Sequence, residues 1–184
     1  MIYLDMDGVI ADFFGGLEEK FGVDHWKSLS WKEEVFAKLK GTDFFARLPV
    51  FGEQDRRSES IAVHNLVKVI AEDNGIDWGI CSSPLRGDEY NSAYHKRNWL
   101  QEWDFMPNNI DNCIFTSNKP KYAWSYKDLL PNVLIDDKPQ NIKAWKDAGG
   151  IGIRFQANED DIDYLEWELL EAMKERYECI IYNY

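Results

Sequence analysis

The sequence predicts an α/β protein built on a Rossmann-like parallel sheet with helices on both of its faces. Short apolar runs typical of buried strands alternate along the chain with stretches whose apolar residues recur at helical spacing. Alternation of this kind implies parallel strands joined by right-handed crossovers. A chain of 184 residues with 45% hydrophobic content suits one domain with a substantial core and leaves room for a small insertion.

The predicted elements follow one another along the chain. Strands are predicted at residues 2–4, 77–84, 112–117, 132–137 and 151–155, with a further edge strand at 179–182. Helices are predicted at residues 13–21, 31–39, 58–74, 91–103, 140–148 and from 162 onwards. The two helices at 13–21 and 31–39 interrupt the alternation, so they indicate an insertion that ends near Pro49.

The charge and the cysteine content argue against several classes of protein. The 33 acidic and 21 basic residues give a formal net charge of −12, which argues against a surface that grips long nucleic acid. The three cysteines, Cys81, Cys113 and Cys179, form no paired motif, and we expect them to be reduced and partly buried. No signal peptide or membrane-length apolar run is recognisable, so we expect a cytoplasmic protein that does not contact a membrane.

The first apolar run ends in two carboxylates, Asp5 and Asp7, where the chain is expected to turn. Two like charges at the rim of an apolar sheet repel each other, and a divalent cation with oxygen ligands, most simply Mg²⁺, would neutralise them. Asp-x-Asp-Gly sequences also form plain turns with hydrogen bonds between side chain and backbone. A calcium loop is excluded because Val9 occupies the position of its third oxygen ligand. The two carboxylates therefore predict either a Mg²⁺ site or an ordinary turn.

Three later predicted strands also end in polar side chains. Ser82 and Ser83 end the second strand, Lys119 follows the third, and Asp136 and Asp137 end the fourth. Because the carboxyl ends of parallel strands share one edge of a sheet, these side chains are expected to converge on one pocket. Hydroxyls and lysine suit phosphate oxygens, and carboxylates suit Mg²⁺. Taken singly, the serines could cap a strand end and the lysine could be an ordinary solvated one.

This set of motifs resembles the haloacid dehalogenase superfamily of phosphatases, over residues 2 to about 145. The matching segments are Asp-Met-Asp-Gly-Val-Ile-Ala-Asp at 5–12, Cys-Ser-Ser-Pro at 81–84, Lys119, and Leu-Ile-Asp-Asp-Lys-Pro at 134–139. Within the superfamily, the sequence is most similar to the 5'(3')-deoxyribonucleotidases. One departure is Ser117, which stands where relatives carry a basic residue. The resemblance implies hydrolysis of (deoxy)nucleoside 5'- or 3'-monophosphates to nucleoside and inorganic phosphate.

The resemblance also implies a role for each motif. Asp5 would be the nucleophile that forms an aspartyl-phosphate, and Asp7 would act as general acid and base. Mg²⁺ would be held by Asp5, by the main-chain carbonyl of Asp7 and by the Asp136-Asp137 pair, with Asp137 preferred as the direct ligand. The residues that the resemblance implies for phosphate binding are Ser82, Ser83, Lys96 and Lys119.

Relatives carry a cap over the active site where this chain has its insertion. We therefore expect a small helical cap after the first strand, formed by residues 15–48, and a core formed by residues 1–14 and 49–184. By the same resemblance, Phe13, Phe44 and Phe45 would line a slot for the base, because aromatic faces stack on any base. Phenylalanines in so small a unit could equally well form its core.

Other functions fit parts of the pattern. A phosphatase of this superfamily could act on another small phosphorylated metabolite or on polynucleotide ends, although a net charge of −12 offers no basic track for the latter. A two-component receiver domain also phosphorylates an aspartate beside Mg²⁺. In receivers the lysine comes last, whereas here Lys119 precedes Asp136 and Asp137. The expected partner is a small nucleotide, and a homodimer is left open.

Overall fold

The computed structural model describes residues 1–29, 33–52 and 59–182 and has a five-stranded parallel sheet at its centre, in the order β3-β2-β1-β6-β7. The strands are β1 (Ile2–Leu4), β2 (Trp78–Ser82), β3 (Cys113–Phe115), β4 (Trp124–Ser125), β5 (Leu130–Pro131), β6 (Val133–Asp136) and β7 (Ile151–Arg154). The helices are α1 (Phe13–Phe21), α2 (Glu33–Ala37), α3 (Glu59–Asp73), α4 (Glu89–Glu102), α5 (Pro139–Asp147) and α6 (Ile162–Tyr182). The predicted α/β class is confirmed.

Helices cover both faces of the sheet, because successive residues of a strand point to opposite sides. Ile2 lies in a large buried cluster with residues of α3 and α6 such as Val67 and Leu169. Its neighbour Tyr3 lies in a second cluster on the other face, where it meets the ring of Trp145 from α5 at 6.0 Å between centroids. The sheet is therefore the middle layer of three.

The strand order brings the predicted polar strand ends together. Strand β1 is central and pairs with β2 on one side and β6 on the other, with Leu4 opposite both Ile80 and Ile135. This register puts Asp5 beside Asp136 at the carboxyl edge. The chain leaves β1 toward β2 and β3, and later returns to the other side of β1 as β6 and β7. Such a reversal opens the crevice in which α/β proteins bind ligands.

Two sequence-based expectations differ from the structure. The edge strand predicted at 179–182 is wrong, because α6 continues to Tyr182. The short β-prone run there follows a helical face without any glycine or proline to end the helix, so the helix extends through it. The antiparallel hairpin of β4 and β5 was not predicted, since strands of two residues show no alternation. Trp31 and Ser58, the first residues of two predicted helices, lie outside the described residues.

The segment between β1 and α3 contains mainly short helical turns. Besides α1 and α2 it includes 3-10 helices at Trp26–Ser28 and Phe44–Ala46. The indole of Trp99 in α4 donates to the carbonyl of Leu48 at 2.7 Å and ties the end of this segment to the core. The division into a cap of residues 15–48 and a core stays a prediction.

Two predictions from composition concern the cysteines and membrane contact. None of the three cysteines forms a disulfide with another described residue, and Cys81 and Cys113 are buried. Within the described ranges, no helix combines the length and apolar character needed to cross a bilayer.

Candidate active site

Asp5 begins the site because β1 ends directly before it. Its backbone N–H donates to the carbonyl of Ile135 at 2.9 Å, so the chain is still tied to β6 at this point. Its own Oδ1 accepts from the backbone N–H of Met6 at 2.8 Å. The chain then turns sharply, with the backbone N–H groups of Val9, Ile10 and Ala11 all donating to the Met6 carbonyl. The Asp5 carboxylate is thereby fixed at the sheet edge.

Gly8 in this turn allows the chain to pass close to Asp137. Its φ of +83° lies in the left-handed region, and a Cβ added there would lie 2.7 Å from Oδ2 of Asp137. A side chain at this position would be strained and would collide with the carboxylate. Glycine is therefore required at position 8, in the first motif, because Asp137 of the last motif lies so close to it.

Lys119 is the buried cation that joins the first and fourth motifs. Its Nζ lies 3.0 Å from Oδ2 of Asp5 and 2.5 Å from Oδ2 of Asp136, and its side chain is only 2% exposed. Burial opposes the lysine charge, but the two carboxylates outweigh this effect and raise its pKa. Burial also opposes ionisation of Asp5, yet Lys119, Lys96 and other donors hold the pKa of Asp5 below its usual value. Both groups are therefore charged at neutral pH.

Asp136 and Asp137 are adjacent but differ in their hydrogen bonding. Oδ1 of Asp136 accepts from the backbone N–H of Lys138 at 2.9 Å and from Nδ2 of Asn141 at 3.0 Å, and Oδ2 accepts from Asn141 and Lys119. Oδ1 of Asp137 is buried and has no hydrogen-bond partner among the described residues. Burial and the Asp5 carboxylate raise the pKa of Asp137 to about 7. Both oxygens of Asp136 thus accept hydrogen bonds, whereas Oδ1 of Asp137 is available to a further ligand.

The three carboxylates together have the chemistry of a divalent cation site. Asp5, Asp136 and Asp137 can each offer one oxygen, and these oxygens lie within 4.8 Å of one another. Three buried carboxylates with one buried lysine leave an excess of negative charge, which a cation with oxygen ligands would offset. The buried, unpartnered oxygen of Asp137 fits such a cation.

Asp7 forms the other half of the site, together with Lys96 of α4. Nζ of Lys96 donates to Oδ2 of Asp7 at 2.7 Å, to Oγ of Ser82 at 3.0 Å and to the carbonyl of Ser83 at 2.9 Å. These bonds use all three ammonium protons of a lysine that is fully buried. Oδ1 of Asp7 has no partner in the described part of the chain. A further acceptor must therefore replace one of these three to bind Lys96.

A cavity of about 930 Å³ opens above these groups and has aromatic walls. The described residues around it include Asp7, Ser83, Asp137 and, among the predicted base-slot residues, Phe13 and Phe45. The ring planes of Phe13 and Phe45 are within 17° of parallel, with centroids 6.3 Å apart. Phe44 is not among the described lining residues and packs edge-on against Phe13 at 5.8 Å. The three phenylalanines thus share one cluster, of which two members face the cavity.

The comparisons with known proteins agree with the motifs. The chain is 26% identical over 160 residues to the mitochondrial 5'(3')-deoxyribonucleotidase of Mus musculus, which covers 75% of this chain and 64% of that protein. It is 25% identical over 154 residues to the Homo sapiens protein of the same name, covering 75% of this chain and 62% of that protein. The chain therefore spans less than two thirds of these relatives. No family model matches the chain. This distant similarity suggests the family that the motifs indicated.

The structure brings the polar residues predicted from the four motifs to one edge. The sequence motifs did not indicate two further residues of the site. Asn141 holds both oxygens of Asp136, and Lys138 lines the cavity beside Asp137. Partial burial opposes the charge of Lys138, but Asp5 and the neighbouring carboxylates raise its pKa. The sequence feature that could have indicated Asn141 is Pro139, which begins α5 and places Asn141 in its first turn, facing the end of β6.

Proposed function

We propose that this chain is a Mg²⁺-dependent phosphatase that hydrolyses (deoxy)nucleoside 5'- or 3'-monophosphates through an aspartyl-phosphate on Asp5. The observation that carries the proposal is the pairing of Asp5 with Lys119 and of Asp7 with Lys96, where Asp7 lines a cavity with phenylalanine walls. The charged groups suit a phosphate and the rings suit a base. The names of the two distant relatives support the same substrate class.

In the first step, a carboxylate oxygen of Asp5 attacks phosphorus while the bond from phosphorus to the nucleoside oxygen breaks. Asp7 gives a proton to the departing oxygen and then takes one from the water that attacks the aspartyl-phosphate, which releases inorganic phosphate and restores Asp5. The hydrogen bond from Met6 keeps Asp5 in one orientation, and Lys119 stabilises its ionised form. Positioning and fixed positive charge are the main contributions that phosphoryl transfer needs from a protein.

The salt bridge between Lys96 and Asp7 links the proposed acid to phosphate binding. Nζ of Lys96 lies 2.7 Å from Oδ2 of Asp7. A phosphate oxygen that takes over this donor would free Oδ2 of Asp7 for proton transfer to the departing oxygen.

Asp5 and Asp137 would hold Mg²⁺, with the main-chain carbonyl of Asp7 as a further oxygen. Asp136 is the less suitable ligand because both of its oxygens already accept hydrogen bonds. Bound there, the cation would lower the repulsion between the carboxylates and the phosphate. Lys96, Lys119 and the Ser82 and Ser83 region would hold the remaining phosphate oxygens.

The test is release of inorganic phosphate from a panel of 5'- and 3'-nucleoside monophosphates and sugar phosphates. Asp5→Asn should reduce kcat by at least about 10³-fold, because it removes the nucleophile. Asp147→Asn is the matched control, since Asp147 is an exposed carboxylate in a salt bridge with Lys143. Turnover of sugar phosphates without any nucleotide would reassign the substrate. Full activity in Asp5→Asn would refute the mechanism.

A further inference from the structure

A second cavity lies at the amino-terminal edge of the sheet, opposite to the candidate active site. Its volume is about 990 Å³, and we call it the hairpin cavity because the β4–β5 hairpin forms much of its wall. The remaining lining comes from the turn before β4, from the chain before β2 and β6, from the start of β1, from α6 and from Ala148 after α5. No step of the proposed phosphatase reaction uses this cavity.

Arg176 of α6 is the enclosed cation of the hairpin cavity. The residue is only 6% exposed, and its Nε donates to the carbonyl of Pro131 at 3.0 Å. In residues 1–29, 33–52 and 59–182 it forms no salt bridge and no second hydrogen bond, which leaves Nη1 and Nη2 open. Burial lowers the pKa of the guanidinium, and Asp128 opposes this effect from a distance. A buried cation without a directly paired anion is costly.

Among the described residues, none of the other charged groups around the cavity forms a salt bridge with Arg176. The Met1 amine donates to Oδ1 of Asn132 at 3.0 Å, and burial and Arg176 lower its pKa to about 5, so it is neutral at pH 7. Oδ2 of Asp128 accepts from the Ser125 hydroxyl at 3.1 Å. Lys121 and Lys127 also line the cavity, and Asp77 adds a second carboxylate beside Asp128. Three cations against two carboxylates leave the lining with a net positive charge, in a chain of net charge −12.

Aromatic side chains surround the same space. Tyr122, Trp124 and Tyr126 line the cavity, and Tyr126 is 83% exposed at the hairpin. An exposed ring and a guanidinium that line one cavity can present a flat apolar face and a positive charge to the same ligand. This combination suits a molecule that carries both a ring and an anionic group.

We propose that the hairpin cavity binds a small aromatic anion, whose charged group lies on Arg176 and Lys127 and whose ring lies against Trp124 and Tyr126. The site is separate from the phosphatase site and faces the other edge of the sheet. Binding there is independent of any chemistry at Asp5.

The test is a ¹H–¹⁵N NMR titration with phenylphosphonate, an aromatic anion whose carbon–phosphorus bond a phosphatase does not hydrolyse. The Trp124 indole and the Lys127 amide should shift and saturate. Inorganic phosphate should bind more weakly because it lacks the ring, and benzyl alcohol should not shift these signals because it lacks the charge. Signals near Asp5 and Gly8 report the active site separately, so failure of one site is not mistaken for failure of the other.

Variants at the exposed hairpin avoid the risk of unfolding that Arg176→Gln carries. Lys127→Ala and Tyr126→Ala should each raise the Kd of phenylphosphonate at the Trp124 signal about tenfold. Tyr90→Ala is the matched control, because Tyr90 is 89% exposed on α4 and does not line the cavity. Arg176→Gln, if its thermal unfolding stays cooperative, should abolish saturation.

Four results would overturn the proposal. The first is an absence of saturable shifts at Trp124. The second is an unchanged Kd in both hairpin variants. The third is equal binding of phenylphosphonate and benzyl alcohol, which would mean that the charge plays no part. The fourth is equal binding of phenylphosphonate and inorganic phosphate, which would mean that the ring plays no part.

Discussion

Two regions of the molecule bury titratable groups in opposite ways. At the carboxyl edge of the sheet, Lys119 is 2% exposed but stays charged because Asp5 and Asp136 flank it. On α3, His64 is 4% exposed between the rings of Trp78 and Phe105, and its Nε2 has no partner among the described residues. Burial lowers the pKa of His64 to about 4, so it is neutral. The comparison shows that buried side chains at the sheet edge stay charged because groups of opposite charge flank them. A catalytic site needs charged side chains held in this way.

The largest expected effect comes from removing the counter-charge at the sheet edge. Lys119→Met leaves Asp5 and Asp136 buried without their cation, so the free energy of unfolding should fall by about 3–5 kcal/mol. Urea denaturation at pH 7 in EDTA measures this change. Lys143→Met is the control, since its salt bridge with Asp147 is exposed and should contribute less than about 0.5 kcal/mol. Similar small losses in both variants would mean that the buried pairing is not what stabilises the edge.

The His64 pocket predicts the second effect, which appears only in acid. The pKa of His64 is about 4 in the folded state, below its ordinary value of 6.5. Between these values the unfolded chain binds a proton that the folded protein does not, so stability falls as the pH drops from 6.5 to 4. The loss is up to about 3 kcal/mol. At higher pH this contribution is constant.

His64→Leu should remove this slope, because leucine cannot be protonated. Urea denaturation of wild type and His64→Leu at pH 7.0 and pH 4.5 measures the difference between the two proteins, so that acid effects on carboxylates cancel. His25→Leu is the control, as His25 is exposed. The idea fails if the difference between wild type and His64→Leu is the same at both pH values.

A third effect distinguishes the two neighbouring carboxylates at the sheet edge. Asp136 accepts hydrogen bonds at both oxygens, so Asp136→Asn should cost about 2–3 kcal/mol of stability. Asp137 has a buried oxygen without a described partner, so Asp137→Asn should stabilise the protein in EDTA by relieving repulsion. Mg²⁺ at about 100 times its Kd should add about 2.7 kcal/mol to wild type, and Asp137→Asn should lose most of this gain. An undiminished Mg²⁺ response in Asp137→Asn would exclude Asp137 as a ligand.

Most of the sheet was predictable because its strands are short, mostly buried and bounded by polar or turn-forming residues. The apolar run before Asp5 and the run before Asp136 each end in carboxylates, which marks the strand end as clearly as a turn residue does. The continuation of α6 through Cys179 was not predictable from local β propensity, since packing of the preceding helical face decides it.

Most members of the site were predictable from the sequence, but their pairings were not. Parallel topology alone implies that strand ends share an edge, so Asp5, Ser82 and Asp136 could be placed together. Which carboxylate faces Lys119 depends on the direction of the side chains. Lys96 lies on a helix, and the spacing of residues in the sequence does not show how close that helix comes to the sheet edge. Asn141 escaped notice because a helix-start amide looks like any surface residue in the sequence.

A comparison of Phe13, which lines the cavity, with its neighbour Phe44 gives the smallest expected effect. Phe13 and Phe44 are in edge-on contact at 5.8 Å, but only Phe13 lines the active-site cavity. Phe13→Leu should raise the KM for nucleoside monophosphates about fivefold, a loss of roughly 1 kcal/mol of stacking, with little change in kcat. Phe44→Leu should lower the melting temperature and leave KM unchanged, because Phe44 contacts other side chains rather than the cavity. Steady-state kinetics on the panel of nucleotides measures both. If Phe44→Leu raised KM as much as Phe13→Leu, the cluster would act on substrate as one rigid unit, and the distinction between cavity wall and supporting core would not hold.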